Sequence, residues 1–202
     1  MGVLISLAIF FSAVIIHEFS HALVANRLGD PTAKMMGRLT LNPISHIDPF
    51  GTILLPVLLI LMNSPVLFGW AKPVPINYAN LKNPKRDIVW VGLAGPVANL
   101  LFAGSAAMAF NHLGLRNTEL LSSVVQSIII VNVVLAVFNL IPIPPLDGSR
   151  VLTGLLPPPL DMKIVRMEPY GFILLFALLY MGLFDYFVWP IATFVLRLLM
   201  KL

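Results

Sequence analysis

Five consecutive residues, His17-Glu18-Phe19-Ser20-His21, carry two imidazoles and a carboxylate inside an otherwise apolar stretch. On an α-helix, residues four apart lie about 40° from one another around the axis and one turn along it, so both rings can face one metal ion. Glu18 stands next to the first histidine and can reach a water bound to that ion. Three ionisable groups in five positions of a spanning helix are expensive to bury, which makes a functional site the default reading. Zinc in hydrolytic sites usually takes three protein ligands and a water, so a third donor is needed, and the chain has no cysteine to supply it. The remaining donors are His46, His112, Glu119, Asp30, Asp48, Asp87, Asp147, Asp161, Glu168 and Asp185, most of them in loops where a solvated charge is the plain explanation. Asp147 differs. It follows a spanning segment through Pro142, Pro144 and Pro145, which cannot continue a helix, and it precedes Gly148, which permits a tight turn. Non-helical backbone at membrane depth is tolerated where it lines a cavity or is buried in protein. A carboxylate there is the natural third ligand.

The elements that must hold these groups are membrane helices. Of the 202 residues, 58% are hydrophobic and 11% charged, and the mean hydropathy is +0.92. A soluble domain is about 45–50% apolar and about 25% charged, so the composition excludes a soluble enzyme, a disordered chain and a disulfide scaffold. The net charge of +4 comes from basic residues spread along short loops. Orientation in a bilayer explains them better than phosphate binding, and no nucleic-acid partner is expected. Apolar runs cover residues 2–29, 50–62, 88–113, 120–141 and 171–200, the last interrupted by Asp185 and Pro190. The fold class expected is an all-α polytopic membrane protein, a bundle of about five or six membrane segments. It forms a single domain over 1–202, with a catalytic core at about 5–155, C-terminal membrane segments at 170–200 and no room for a soluble module.

Residues 50–62 fall in the length range of re-entrant or buried segments. Loops 27–49, 63–87 and 142–169 hold ten Lys and Arg between them, against Arg116 alone in loop 114–119. A segment that dips in at 50–62 and returns puts the three basic loops on one face, and the positive-inside rule makes that face cytoplasmic. Polar and apolar residues alternate at 38–42 and 73–76, which predicts two short edge strands, the second with prolines that forbid full pairing.

HEFSH at 17–21, taken with Asn139-Leu140-Ile141-Pro142-Ile143-Pro144-Pro145-Leu146-Asp147-Gly148, resembles the HExxH and NxxPxPxLDG signatures of the site-2 protease family of intramembrane zinc metalloproteases. Gly95-Pro96-Val97-Ala98-Asn99 is similar to that family's central GPxxN element. The stretches at 46–51 and 69–75 resemble a short form without PDZ or CBS domains, and the likeness covers about residues 5–155. The resemblance implies that His17, His21 and Asp147 bind one Zn2+ per chain. It implies that Glu18 takes a proton from the attacking water and returns it to the leaving amine. It also sets Asn99 and Asn139 beside the site, where amides could hold the substrate backbone or the oxyanion. The implied partners are transmembrane protein substrates and membrane lipid, with a homodimer left open, and the implied location is a multi-pass place in the cell membrane. The rival reading is a metal-ion or proton-coupled transporter, since intramembrane His, Glu and Asp also mark ion pathways.

Overall fold

The computed structural model describes residues 2–62, 71–112 and 118–201, and among them every regular element is helical. Helix α1 (Val3–Leu28) has 26 residues, which at 1.5 Å each rise about 39 Å and exceed a hydrocarbon core of about 30 Å. It stops at Gly29, whose φ of +118° lets the Asp30 N–H turn back to the Ala25 carbonyl at 2.9 Å. The short α2 (Thr32–Met35) follows, then a 3-10 turn at Pro43–His46. A π-turn at Pro49–Leu54 runs into α3 (Leu55–Leu61).

Helix α4 (Pro84–His112) starts on a proline whose missing N–H costs nothing at a first turn. The Asp87 carboxylate accepts the Asn83 N–H at 2.9 Å and closes that end. Helix α5 (Glu119–Asn139) ends where the proline-rich turn begins. Beyond the turn lie α6 (Asp147–Leu155), α7 (Leu160–Met167), α8 (Gly171–Tyr180) and α9 (Trp189–Leu199).

Helices α1, α4 and α5 are long and apolar enough to cross a membrane. The stretch containing α7 and α8 and the stretch containing α9 are bent by 74° at a short break, and they make a fourth crossing if taken as one. The bend sits at Gly182, with φ +91°. Helices α4 and α5 pack through Ala103, Ala107 and Phe110 against Val125, Ile129, Val133 and Val137, and Val188 and Ala192 close the cluster from the C-terminal side. Ala13, Ala22 and Ala25 of α1 are fully buried. Small residues of this kind let helix backbones approach where lipid gives no hydrophobic drive to associate.

Two expectations change. Among the described residues, the expected five or six membrane segments are replaced by three helices long and apolar enough to cross, or four with the bent pair. Residues 49–61 are helical but rise only about 20 Å, too little for a straight crossing. Neither 38–42 nor 73–76 is a strand. Pro73 and Pro75 have no N–H to pair, and the neighbouring groups are bonded elsewhere. Arg38 donates to the Lys72 carbonyl at 2.7 Å, the Lys72 N–H donates to the His46 carbonyl, and the Val74 N–H donates to Glu18. Arg116 and residues 63–70 of the basic loop lie outside the described residues.

Candidate metal centre

His17 and His21 project from one face of α1 toward α4, and both are buried. Asp147, the first residue of α6, reaches the same point from the far end of the chain. Its Oδ2 lies 2.9 Å from His17 Nε2 and 3.2 Å from His21 Nε2. All three donor atoms fall within 4.8 Å of one another. Ligands about 2.0–2.2 Å from a tetrahedral zinc stand a little over 3 Å apart, so the spacing fits such an ion.

The second observation is a space. A Cβ built on Gly95 of α4 would lie 2.6 Å from His17 Nε2 and closer still to His21 Nε2. Glycine therefore keeps open the volume onto which both ring nitrogens converge. Any side chain at this position would fill it.

The remaining ring nitrogens have partners of their own. His21 Nδ1 lies 2.7 Å from the Val91 carbonyl, which only accepts, so Nδ1 carries a hydrogen and Nε2 is the atom turned to the point shared with His17 and Asp147. His17 Nδ1 lies 2.6 Å from Asn99 Oδ1. The Asn99 amide nitrogen faces the Ala13 carbonyl at 3.0 Å, which puts its oxygen toward the ring, and His17 Nδ1 is the donor there too. Metal-ligating histidines are held in this way by a partner on the far nitrogen.

Asp147 is positioned by the turn before it. The Leu146 N–H donates to the Ile143 carbonyl at 2.9 Å, and the Ser149 hydroxyl donates to the Leu146 carbonyl at 2.7 Å. A Cβ on Gly148 would run into the carbonyl oxygens of Leu140 and Ile141, so only glycine lets the start of α6 sit this close to the end of α5. Glu18 is half-buried, and its Oε2 accepts the Val74 N–H at 2.7 Å, which tethers the segment 71–77 to α1 beside His17.

The other candidates have different partners. Asn99 is fully buried, with its amide bonded to His17 and Ala13. Asn139 donates back to the Leu135 carbonyl of its own helix at 2.9 Å. Asp30 binds Thr32, Asn77 and Asn80, Asp48 caps the turn at Phe50 and Gly51, and Asp87 caps α4. Asp161 pairs with Lys85, and Glu168 with Arg150. His46 is buried with its Nε2 on the Thr40 carbonyl. None of these joins the cluster, nor do His112, Glu119 or Asp185. The sequence reading passed over the roles of Gly95 and Val74 and did not single out Asn132. For Asn132 the signal was available: an amide in an apolar spanning helix is there to bond across helices.

Comparison with known proteins agrees with this geometry. The profile of peptidase family M50 matches residues 115–178, which include the turn bearing Asp147. YwhC of Bacillus subtilis, named a zinc metalloprotease, is 42% identical over 184 residues, covering 88% of this chain and 80% of that protein. Rip2 of Mycolicibacterium smegmatis, also named a zinc metalloprotease, is 32% identical over 170 residues, 81% of this chain but only 62% of its own length. Rip2 of Mycobacterium tuberculosis is 31% identical over 163 residues, covering 61% of its length. No solved structure matches the chain. Identity at this level, kept along four-fifths of a relative, is family membership: the chain belongs to peptidase family M50, the site-2 protease family of metalloproteases.

Proposed function

We propose that the chain is an intramembrane zinc endopeptidase that hydrolyses peptide bonds in or near the transmembrane segments of membrane proteins, the chemistry of regulated intramembrane proteolysis. His17, His21 and Asp147 hold one zinc ion per chain. The observation that carries this reading is the convergence of two Nε2 atoms and one carboxylate oxygen on a space that Gly95 keeps clear. When bound, zinc polarises the scissile carbonyl and lowers the pKa of water to about 7.

Glu18 takes the proton of the attacking water and hands it to the leaving amine. Proton transfer by a placed side chain is worth typically 10²–10⁴-fold. The Val74 N–H holds the carboxylate in orientation for both steps. Asn139 stands at the end of α5, beside the turn that bears Asp147, where its amide can meet the substrate backbone. A substrate helix shields its own peptide bonds with internal hydrogen bonds, so the segment cut must unwind first.

The chain forms one domain in a cell membrane it crosses several times. The 50–62 segment dips in and returns, and the basic loops and the active-site end face the cytoplasm, with Arg116 opposite. Its partners are transmembrane substrates and lipid, not nucleic acid, and a homodimer is compatible with the reading. Transport finds less support: among the described residues the metal-ligating side chains form one cluster rather than a path.

Metal analysis of the purified protein, paired with cleavage of a membrane-peptide panel in detergent, tests the reading. One zinc per chain and cleavage are expected of the wild type, loss of both from Asp147→Ala, and loss of cleavage alone from Glu18→Gln. A zinc-loaded wild type that cuts nothing Glu18→Gln spares would remove the proposal.

A further inference from the structure

A chain of amides runs behind His17 and ends on a helix that contributes no ligand. Asn132 of α5 is fully buried, and its Nδ2 donates to the Ile128 carbonyl one turn back at 2.8 Å. Because that carbonyl only accepts, the direction of the Asn132 amide is settled, and its Oδ1 must face the other way. There it accepts a hydrogen from Asn99 Nδ2 at 2.7 Å. The second hydrogen of Asn99 Nδ2 goes to the Ala13 carbonyl. Both hydrogens of that amide are then committed, and its oxygen is left for His17 Nδ1.

We propose that Asn132 is a positioning residue, which acts through Asn99 to hold the His17 ring with Nδ1 donating to Asn99 and Nε2 turned to the metal position. The proposal rests on the metal site described above and adds a residue that touches neither metal nor substrate. The relay also joins α1, α4 and α5 at one point, so the packing of the bundle and the orientation of the ligand are set together. Without Asn132, the Asn99 amide keeps one buried hydrogen unpaired. It then loses one of the two contacts that hold its oxygen on the ring.

The experiment measures zinc affinity of the full chain in detergent by chelator competition, and the hydrogen bond of the His17 Nδ1–H by its 1H and ring 15N shifts. Changes to the outer partners of a metal-bound histidine typically weaken binding 10–100-fold. Asn99→Leu is expected to lie in that range, and Asn132→Leu roughly tenfold below wild type. The double variant should bind no more weakly than Asn99→Leu alone, because both changes cut one relay. Asn132→Asp, which stays neutral in this apolar setting and offers a carbonyl oxygen to Asn99 and a hydroxyl to Ile128, should restore wild-type affinity.

In the wild type the His17 Nδ1–H should give one strongly hydrogen-bonded signal, and in Asn132→Leu a weakened or mixed one. Asn132→Ala, made in parallel, covers the case in which leucine is not accommodated. A purely structural role would lower the melting temperature and leave the Nδ1–H signal and the affinity unchanged, which would overturn the proposal. Additive losses in the double variant would overturn it as well. A wild type that binds no zinc would instead refute the metal reading, while the 15N spectrum would still decide the relay.

Discussion

Gly95 shows how much of a metal site can rest on a side chain that is absent. The Cβ it lacks would stand 2.6 Å from His17 Nε2, within the volume proposed for the ion. Gly95→Ala therefore acts as an occupant of the site. The expected outcome is loss of bound zinc and of cleavage, with the helical signal of the protein kept, as read by metal analysis and circular dichroism. Full zinc content in this variant would mean that the ion sits elsewhere. His17 and His21 were legible because helical periodicity alone puts positions four apart on one face. Of the two sides of the cradle that come from α4, Asn99 was set beside the site only by the likeness to the GPxxN element, and neither its bond to His17 nor the space kept by Gly95 was legible. Nothing in the sequence says which face of α4 meets α1.

At the scale of elements, the segment over the site behaves differently from the alternation of its residues. Residues 73–76 form no regular element and no ladder, because Pro73 and Pro75 lack donors and the Val74 N–H is spent on Glu18. A period of two across four or five residues is a weak signal, and here side-chain-to-backbone bonds consume the groups a sheet would use. The turn between α5 and α6 was readable for the opposite reason: three prolines within four residues forbid a helix whatever surrounds them. Val74→Pro removes the N–H that Glu18 accepts. It is expected to keep zinc at wild-type stoichiometry while lowering kcat, since only the placement of the proton carrier is disturbed. The two are separated by metal analysis and steady-state kinetics on one preparation, and unchanged kcat would show that the tether is dispensable. Gly148→Ala should do the reverse. Its added carbon meets the Leu140 and Ile141 carbonyls, which displaces Asp147 and weakens metal binding first.

For the molecule as a whole, the question is what keeps the layer formed by residues 71–83 seated on the helices. The answer is centred on Asp30, a fully buried carboxylate just beyond the end of α1. It accepts the Asn77 N–H at 2.7 Å, the Asn80 amide at 2.9 Å and the Thr32 N–H at 3.1 Å, together with the Thr32 hydroxyl. Burial pushes its pKa up, but the Thr32 hydroxyl, the Asn80 amide and the backbone N–H groups of Asn77 and Thr32 outweigh it, and the carboxyl is held below its usual value. A carboxylate depressed in the folded state contributes stability that is present above the unfolded value of about 3.9 and is lost as pH falls through the folded value. Asp30→Asn turns a donor toward donors, and hydrogen bonds to a charged group are worth about 1.5–3 kcal/mol. The variant should therefore be less stable by about that amount, with the gap to wild type flat from about pH 5 to 8 and closing only below about pH 4. Thermal unfolding of both proteins across this range measures the gap. A difference already shrinking near pH 6 would mean that another group, titrating at neutrality, seats this layer on the bundle.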